Sequence, residues 1–208
     1  MMTTVPRPPR DEVQAHRGAS AIAPENTLAA FRAAAEQGAK WVELDVALLS
    51  DGTLVVIHDD SVDRTTSGKG SLGDLTAADL IDLDAGTWFD PAFASERLPT
   101  LDQVIALLGE LGLSANVEIK QHPHHRSLDQ LIAAVRAAIA TRRPETQIMI
   151  SSFDPACLKA MAALEPGLEM AMLWVEPPND WEAQLAAIPA RTIHLHYKAL
   201  SIGFLKDW

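Results

Sequence analysis

Two strand-like runs carry charges where a buried sheet would be expected to carry none. WVELDVALL (41–49) places Glu43 and Asp45 two residues apart, and ANVEIK (115–120) places Glu118 and Lys120 at the same spacing. Side chains at i and i+2 of a strand share a face, so Glu43 and Asp45 point one way while Val42, Leu44 and Val46 point toward a helix layer. A carboxylate pair on the inner side of a buried strand is costly unless a cation compensates it. Each acid either meets an arginine or lysine in a structural ion pair or helps to hold a divalent metal. Three acids on two strands with one lysine beside them favour the metal. Carboxylate oxygens are hard ligands, so the ion would be Mg²⁺ or Ca²⁺ rather than Zn²⁺.

Two histidines stand at strand ends. His16 closes a short strand from Val13 and is followed by Arg17 and Gly18; His58 closes TLVVIH and is followed by Asp59. A single strand-end histidine is more often a hydrogen-bonded structural residue. A pair at the carboxyl ends of strands suggests a general acid and a general base facing one site. Arg17 is a natural hydrogen-bond donor to phosphate, and Gly18 permits close approach of backbone or ligand.

The elements that must position these residues alternate. Helical patterns cover 27–37, stopped by Gly38, and run from Thr100 and from Ser127, each with a glutamine three residues on as a capping box. Asp154-Pro155 offers a further N-cap and first-turn proline. Strands are expected at 13–16, 41–46, 115–120, 147–152, 168–175 and 192–198, with Asp51-Gly52 turning the chain into TLVVIH. A helix is expected around Trp181 to Ile188. Residues 60–98, rich in Asp, Gly, Ser and Thr, interrupt the alternation with one short helix near 77–80. This is an α/β chain with parallel pairing, either a barrel or an open doubly wound sheet. Residues 1–12 read as a flexible arm, and 13–208 as one domain.

Composition bounds the function. Seventeen basic against 28 acidic residues give a net charge of −11, which argues against nucleic acid or an anionic membrane as partner. No apolar run of about 18 residues is present, and the start lacks a secretory signal, so no membrane span is expected. One cysteine, Cys157, fits a reducing compartment and reads as inert core, which places the chain in the cytoplasm.

The block from His16 to Gly70 (HRGASAIAPENTLAAF…VELDVALLSDGTLVVIHDDSVDRTTSGKG), followed in order by ANVEIK and QIMISSF, resembles the glycerophosphodiester phosphodiesterase family. The resemblance runs from about Ala15 to Lys206. It implies a TIM barrel with an insertion after VVIHD, and metal-dependent hydrolysis of glycerophosphodiesters such as glycerophosphocholine or glycerophosphoethanolamine to glycerol 3-phosphate and an alcohol. By motif, His16 and His58 are the acid–base pair, Glu43, Asp45 and Glu118 hold the metal, and Arg17 and Lys120 grip the phosphate. Trp88 and Phe89 resemble an aromatic wall over the substrate, or else form a small core beneath the insertion. His194, His196 and Lys198 share a face of the late strand, and His196, where relatives often carry asparagine, is a candidate substrate contact. The QHPHH run with His122, His124 and His125 reads as a solvated loop.

One departure matters. Relatives carry two further strand–helix units beyond the region matching Arg191 to Lys206, whereas this chain ends at FLKDW. A barrel of six visible strands is then incomplete at its C-terminus, with two open sheet edges inviting self-association. Two alternatives follow: a non-catalytic remnant that keeps the site residues, or another metal-dependent barrel enzyme, such as an aldolase acting through an enolate.

Overall fold

The computed structural model describes residues 13–122 and 127–199. The expected arm over 1–12, together with His124 and His125, lies outside them. Six parallel strands follow one another in space as β1 (Gln14–His16), β2 (Trp41–Leu48), β4 (Ser114–Ile119), β5 (Ile148–Ser152), β6 (Glu169–Trp174) and β7 (Thr192–Leu195). They form a curled half-barrel. The short β3 (Leu54–Val56) lies off this path, antiparallel to β2.

Helices α1 (Leu28–Glu36), α2 (Leu101–Leu111), α3 (Leu128–Ala140) and α4 (Pro155–Leu164) connect the strands and pack side by side on one face, with α5 (Trp181–Ala186) before β7. The apolar positions of the charged strands supply the other half of that layer. Val42, Leu44, Val46, Val117 and Ile119 are buried against Phe31, Val104, Leu108, Leu131, Ile132 and Ile139. The face opposite is left to the charged side chains.

Local signals set the helix ends. Thr27 caps α1 by accepting from the Ala30 amide, and Gly38, with φ +80°, reverses the chain after it. Thr100 and Gln103 form the full reciprocal capping box on α2. Ser127 accepts from the Gln130 amide, which supplies the forward half of the box expected on α3. Asp154 caps α4, with Pro155 in its first turn.

Two expectations need correction. The late strand ends at Leu195, and Tyr197–Ala199 form a 3-10 turn, so His196 and Lys198 do not share a strand face with His194. The turn is closed by the Ala199 amide bonding to the His196 carbonyl at 2.8 Å. The stretch after β3 has 3-10 turns at Leu72–Asp74, Asp79–Ile81 and Pro91–Phe93 rather than one short α-helix. It buries Val62, Leu72, Leu80, Ala85 and Leu98 against Ala47, Leu49, Val55 and Ile57 as a second core.

Candidate active site

Strand register builds the acidic cluster. Asp45 on β2 lies directly across from Glu118 on β4, and Glu43 lies between His16 of β1 and Asn116 of β4. Glu43, Asp45 and Glu118 are all buried and each presents an oxygen within 4.8 Å of the others. Beneath the cluster, Asn26 donates to Asp45 Oδ2 at 2.9 Å, and Lys120 Nζ donates to Asp45 Oδ1 at 3.2 Å and lies 3.6 Å from Glu118 Oε1. Arg17 Nε stands 3.6 Å from the same Asp45.

Part of the ion-pair alternative is thus correct, because Asp45 is well compensated. The cluster as a whole is not: among the cations of the described residues its three carboxylates face only Lys120 and Arg17, and Arg17 is shared with Glu25. Burial, then the Asp45 charge, pushes the Glu43 carboxyl well above the usual carboxylate range. The same two causes, in the same order and against the pull of Lys120, push Glu118 up to about 7. Glu43 Oε1 is buried with no hydrogen-bond partner. Carboxylate oxygens grouped in this way, one of them unsatisfied, fit a hard divalent cation.

The loop after β1 is wound tightly around this cluster. Arg17 (φ +56°) and Asn26 (φ +57°) both hold left-handed backbone, which costs a non-glycine residue energy and tends to persist at sites that need it. In that geometry the Arg17 amide donates to Glu43 Oε2 at 3.0 Å, and the Asn26 amide donates to the Arg17 carbonyl. Gly18 is required by the α1 backbone rather than by a ligand, since a Cβ there would lie 2.7 Å from the Ala30 carbonyl carbon.

His16 ends β1 with its Nε2 3.8 Å from Glu43 Oε2. Partial desolvation, then the positive Arg17, holds its imidazole below the ordinary value. His58 reaches the same place by the antiparallel return of β3. The Ile57 amide bonds to the Asp45 carbonyl, so the next residue arrives level with the acids. His58 Nδ1 is 2.6 Å from Asp59 Oδ1. Hydrogen bonds from Arg64 hold the Asp59 carboxyl far below its usual range, so the carboxylate can only accept. Nδ1 therefore carries the proton, and Nε2 is left for other chemistry.

His16, Arg17, Glu43, His58 and Glu118 line one cavity of about 750 Å³, whose far wall includes Phe153, Trp174, His194 and His196. Lys120 opens instead onto an adjoining cavity of about 540 Å³, shared with Glu118, Phe153 and His122. Trp88 and Phe89 belong to neither cavity wall nor core. They pack edge-on against each other at 5.8 Å, Phe89 packs edge-on against Phe93 at 5.7 Å, and Trp88 Nε1 donates to the Ala85 carbonyl. Sequence reasoning missed Glu25, Asn26, Asp59 and Arg64. The PEN triplet just ahead of the Thr27 cap was the available signal for the first two. Cys157 is fully buried, and burial pushes its thiol up to about 11.

A parallel half-barrel that gathers imidazoles, cations and a carboxylate cluster at one rim has the arrangement of an α/β-barrel enzyme. Residues 16–207 match the Glycerophosphoryl diester phosphodiesterase family. A glycerophosphodiester phosphodiesterase of Caldanaerobacter subterraneus subsp. tengcongensis is 41% identical over 193 residues, covering 89% of this chain and 75% of that relative. The solved structure of an Oleispira antarctica phosphodiesterase in complex with the product sn-glycerol-3-phosphate superposes with a TM-score of 0.89 at 33% identity, over 94% of this chain and 79% of that one. The glycerophosphodiester phosphodiesterase of Thermotoga maritima gives 0.72 at 27% identity, over 95% and 78%. The chain belongs to the glycerophosphoryl diester phosphodiesterase family and is an enzyme of the phosphodiesterase class. It spans roughly three quarters of the length of these relatives.

Proposed function

We propose that this enzyme hydrolyses glycerophosphodiesters, such as glycerophosphocholine or glycerophosphoethanolamine, to glycerol 3-phosphate and an alcohol, with a divalent metal and two histidines. The observation that carries the reading is the buried carboxylate trio, two members of which, Glu43 and Glu118, line a cavity with His16 and His58. Glu43, Asp45 and Glu118 would hold a Mg²⁺ or Ca²⁺ ion, which would supply Lewis acidity toward a phosphoryl oxygen. Arg17 binds and orients the anionic phosphate, and Lys120 spreads its charge from the β4 side. One imidazole takes the proton of the nucleophile, water or a glycerol hydroxyl of the substrate, as the new P–O bond forms; the other gives a proton to the alkoxide released when the ester P–O bond breaks. Where the glycerol hydroxyl attacks, water then opens the cyclic phosphate to give glycerol 3-phosphate. The Asp59 contact fixes the His58 tautomer for its part in that exchange. His196, which lines the cavity, is proposed as a substrate contact at the β7 side, and Trp88 and Phe89, outside both cavities, as an aromatic wall that a bound substrate would reach. The enzyme would work in the cytoplasm: the chain's one cysteine is a free, buried thiol, and no helix among the described residues is long and apolar enough to cross a membrane.

The test is release of glycerol 3-phosphate from glycerophosphocholine with and without metal, beside a nitrophenyl phosphodiester. Metal-dependent turnover of the first supports the reading, and metal-independent turnover or none overturns it. A nitrophenolate needs little protonation on leaving, so the variant of the acid histidine is partly rescued on the aryl substrate, which assigns the two roles.

A further inference from the structure

Arg64 lines neither cavity, yet its guanidinium makes four short hydrogen bonds to two carboxylates. Nε and Nη2 bond Asp59 Oδ2 and Oδ1 at 2.7 and 3.0 Å, while Nη1 and Nη2 bond Glu25 Oε2 and Oε1, both at 2.8 Å. Each carboxylate has a second partner in the proposed machinery. Glu25 Oε1 also accepts from Arg17 Nη1 at 2.8 Å, and Asp59 Oδ1 faces His58 Nδ1 at 2.6 Å. One guanidinium thus joins the loop after β1 to the segment after β3, and the chain Arg17–Glu25–Arg64–Asp59–His58 is continuous.

Two features separate this from an ordinary surface ion pair, which contributes little. The contact is bidentate on both sides, a geometry only a planar fork can make and a lysine cannot. The charges also offset: Arg64 brings its positive charge to both Glu25 and Asp59, while Arg17 is shared between Glu25 and the Asp45 of the acidic cluster. Arg64 therefore limits the negative charge beside an anionic substrate while fixing two side chains that would meet it.

We propose that Arg64 is a positioning residue, which by clamping Glu25 to Asp59 holds the Arg17 guanidinium and the His58 imidazole in register with each other. The inference rests on the phosphodiester reading above. It predicts different outcomes for two substitutions. Arg64→Gln removes both the fork and the charge, so kcat falls about 10- to 100-fold through misplacement of His58, and KM rises as net negative charge appears beside the phosphate. Arg64→Lys restores the charge but not the fork, so KM returns toward wild type while kcat stays low.

Arg64 is partly exposed, and thermal melting of both variants checks that they fold. A readout independent of turnover is the ¹⁵N spectrum of the His58 ring in metal-free protein. The wild type is expected in the Nδ1–H tautomer, and both variants in a mixture. Wild-type kcat in both variants overturns the proposal, as does a loss of kcat with the tautomer unchanged. If the wild-type protein does not turn over glycerophosphodiesters, the functional reading fails on its own and the tautomer measurement still decides whether Arg64 positions His58.

Discussion

The seam between β2 and β4 and the margin formed by β6 and β7 are built to different standards. At the seam six residues of each strand pair in register, from Trp41 opposite Ser114 to Val46 opposite Ile119, and all but the first on each strand are buried. Its helix α2 has a full capping box, a left-handed Gly112 end and six buried residues. At the margin β7 is four half-buried residues, and α5 has six residues, no side-chain cap and none buried. The carboxylate trio sits on the seam, and the late histidines sit on the margin. Holding like charges together in a dry place is costly, and it is tolerated only where the surrounding frame over-determines their positions. Groups that touch a substrate from the rim need no such frame.

The largest break should come from the floor of the seam. Chelation is expected to reduce turnover at least about 10³-fold, with recovery on Mg²⁺ or Ca²⁺, because several kcal/mol of charge stabilisation is withdrawn. The same floor sets a pH signature in metal-free protein. Glu118 is raised to about 7 from an ordinary 4.5, so between those values the folded state holds a proton that the unfolded chain has released. Stability from this group is therefore full below about 4.5 and is lost as pH rises through about 7. His16 and His194, whose values are lowered, act in the opposite sense, with stability full above the ordinary imidazole value and lost as pH falls below it through the lowered one. Denaturation midpoints across pH 4–8 for wild type and Glu118→Gln separate the two: Glu43, raised for the same causes, adds to the alkaline decline, so the variant should show a shallower decline rather than none, and added Mg²⁺ should remove it from the wild type.

Next come the two imidazoles. His16→Ala and His58→Ala are each expected to lower kcat by about 10²–10⁴-fold with little change in melting temperature. Lys120→Ala should reduce both affinity and rate if, as proposed, the lysine faces the phosphoryl charge in ground and transition states alike. A wild-type rate in either histidine variant would make that residue structural and leave the seam without its chemistry.

How much of this was legible in the sequence follows from which contacts are local. The period of two in WVELDVALL put Glu43 and Asp45 on one face with no knowledge of their partners, and Thr100 with Gln103 announced the α2 cap from spacing alone. Glu25, Asp59 and Arg64 could not be found that way. They lie in irregular segments, and what makes them a unit is a set of side-chain bonds, some spanning 39 positions. The end of β7 was misread for a related reason. HLHYK alternates as a strand should, but the Lys198 amide turns back to His196 Nδ1 and the Ala199 amide to the His196 carbonyl. Trp88 and Phe89 show the same limit, since stacking on Phe93 is decided by the fold of the excursion rather than by the dipeptide.

Stability tests the comparison without touching chemistry. Leu108→Ala, on the buried face of α2, is expected to cost about 2–5 kcal/mol, as truncation of a fully buried leucine does. Leu185→Ala, on α5, should cost under about 1 kcal/mol, because that side chain is only partly buried and its removal leaves little cavity. Equal costs, measured by chemical denaturation, would mean that the margin is as well built as the seam.

The smallest effect should belong to His196. Its imidazole is exposed, lies 4.7 Å from the Tyr197 ring in a tilted stack, and follows β7 rather than standing on it. It lines the cavity opposite the acids, so at most it offers the substrate one hydrogen bond in competition with water, a net contribution of about 0.5–1.5 kcal/mol. A rim contact of that kind holds the ground state and the transition state about equally, which places its loss in KM rather than kcat. His196→Ala should therefore raise KM by about three- to tenfold and leave kcat within about twofold of wild type. Steady-state kinetics on glycerophosphocholine and on the aryl diester check this: the rise should be confined to the substrate whose head group reaches the margin. A fall in kcat on both substrates comparable to that of His58→Ala would place proton transfer on the β7 side and reverse the division of labour between seam and margin.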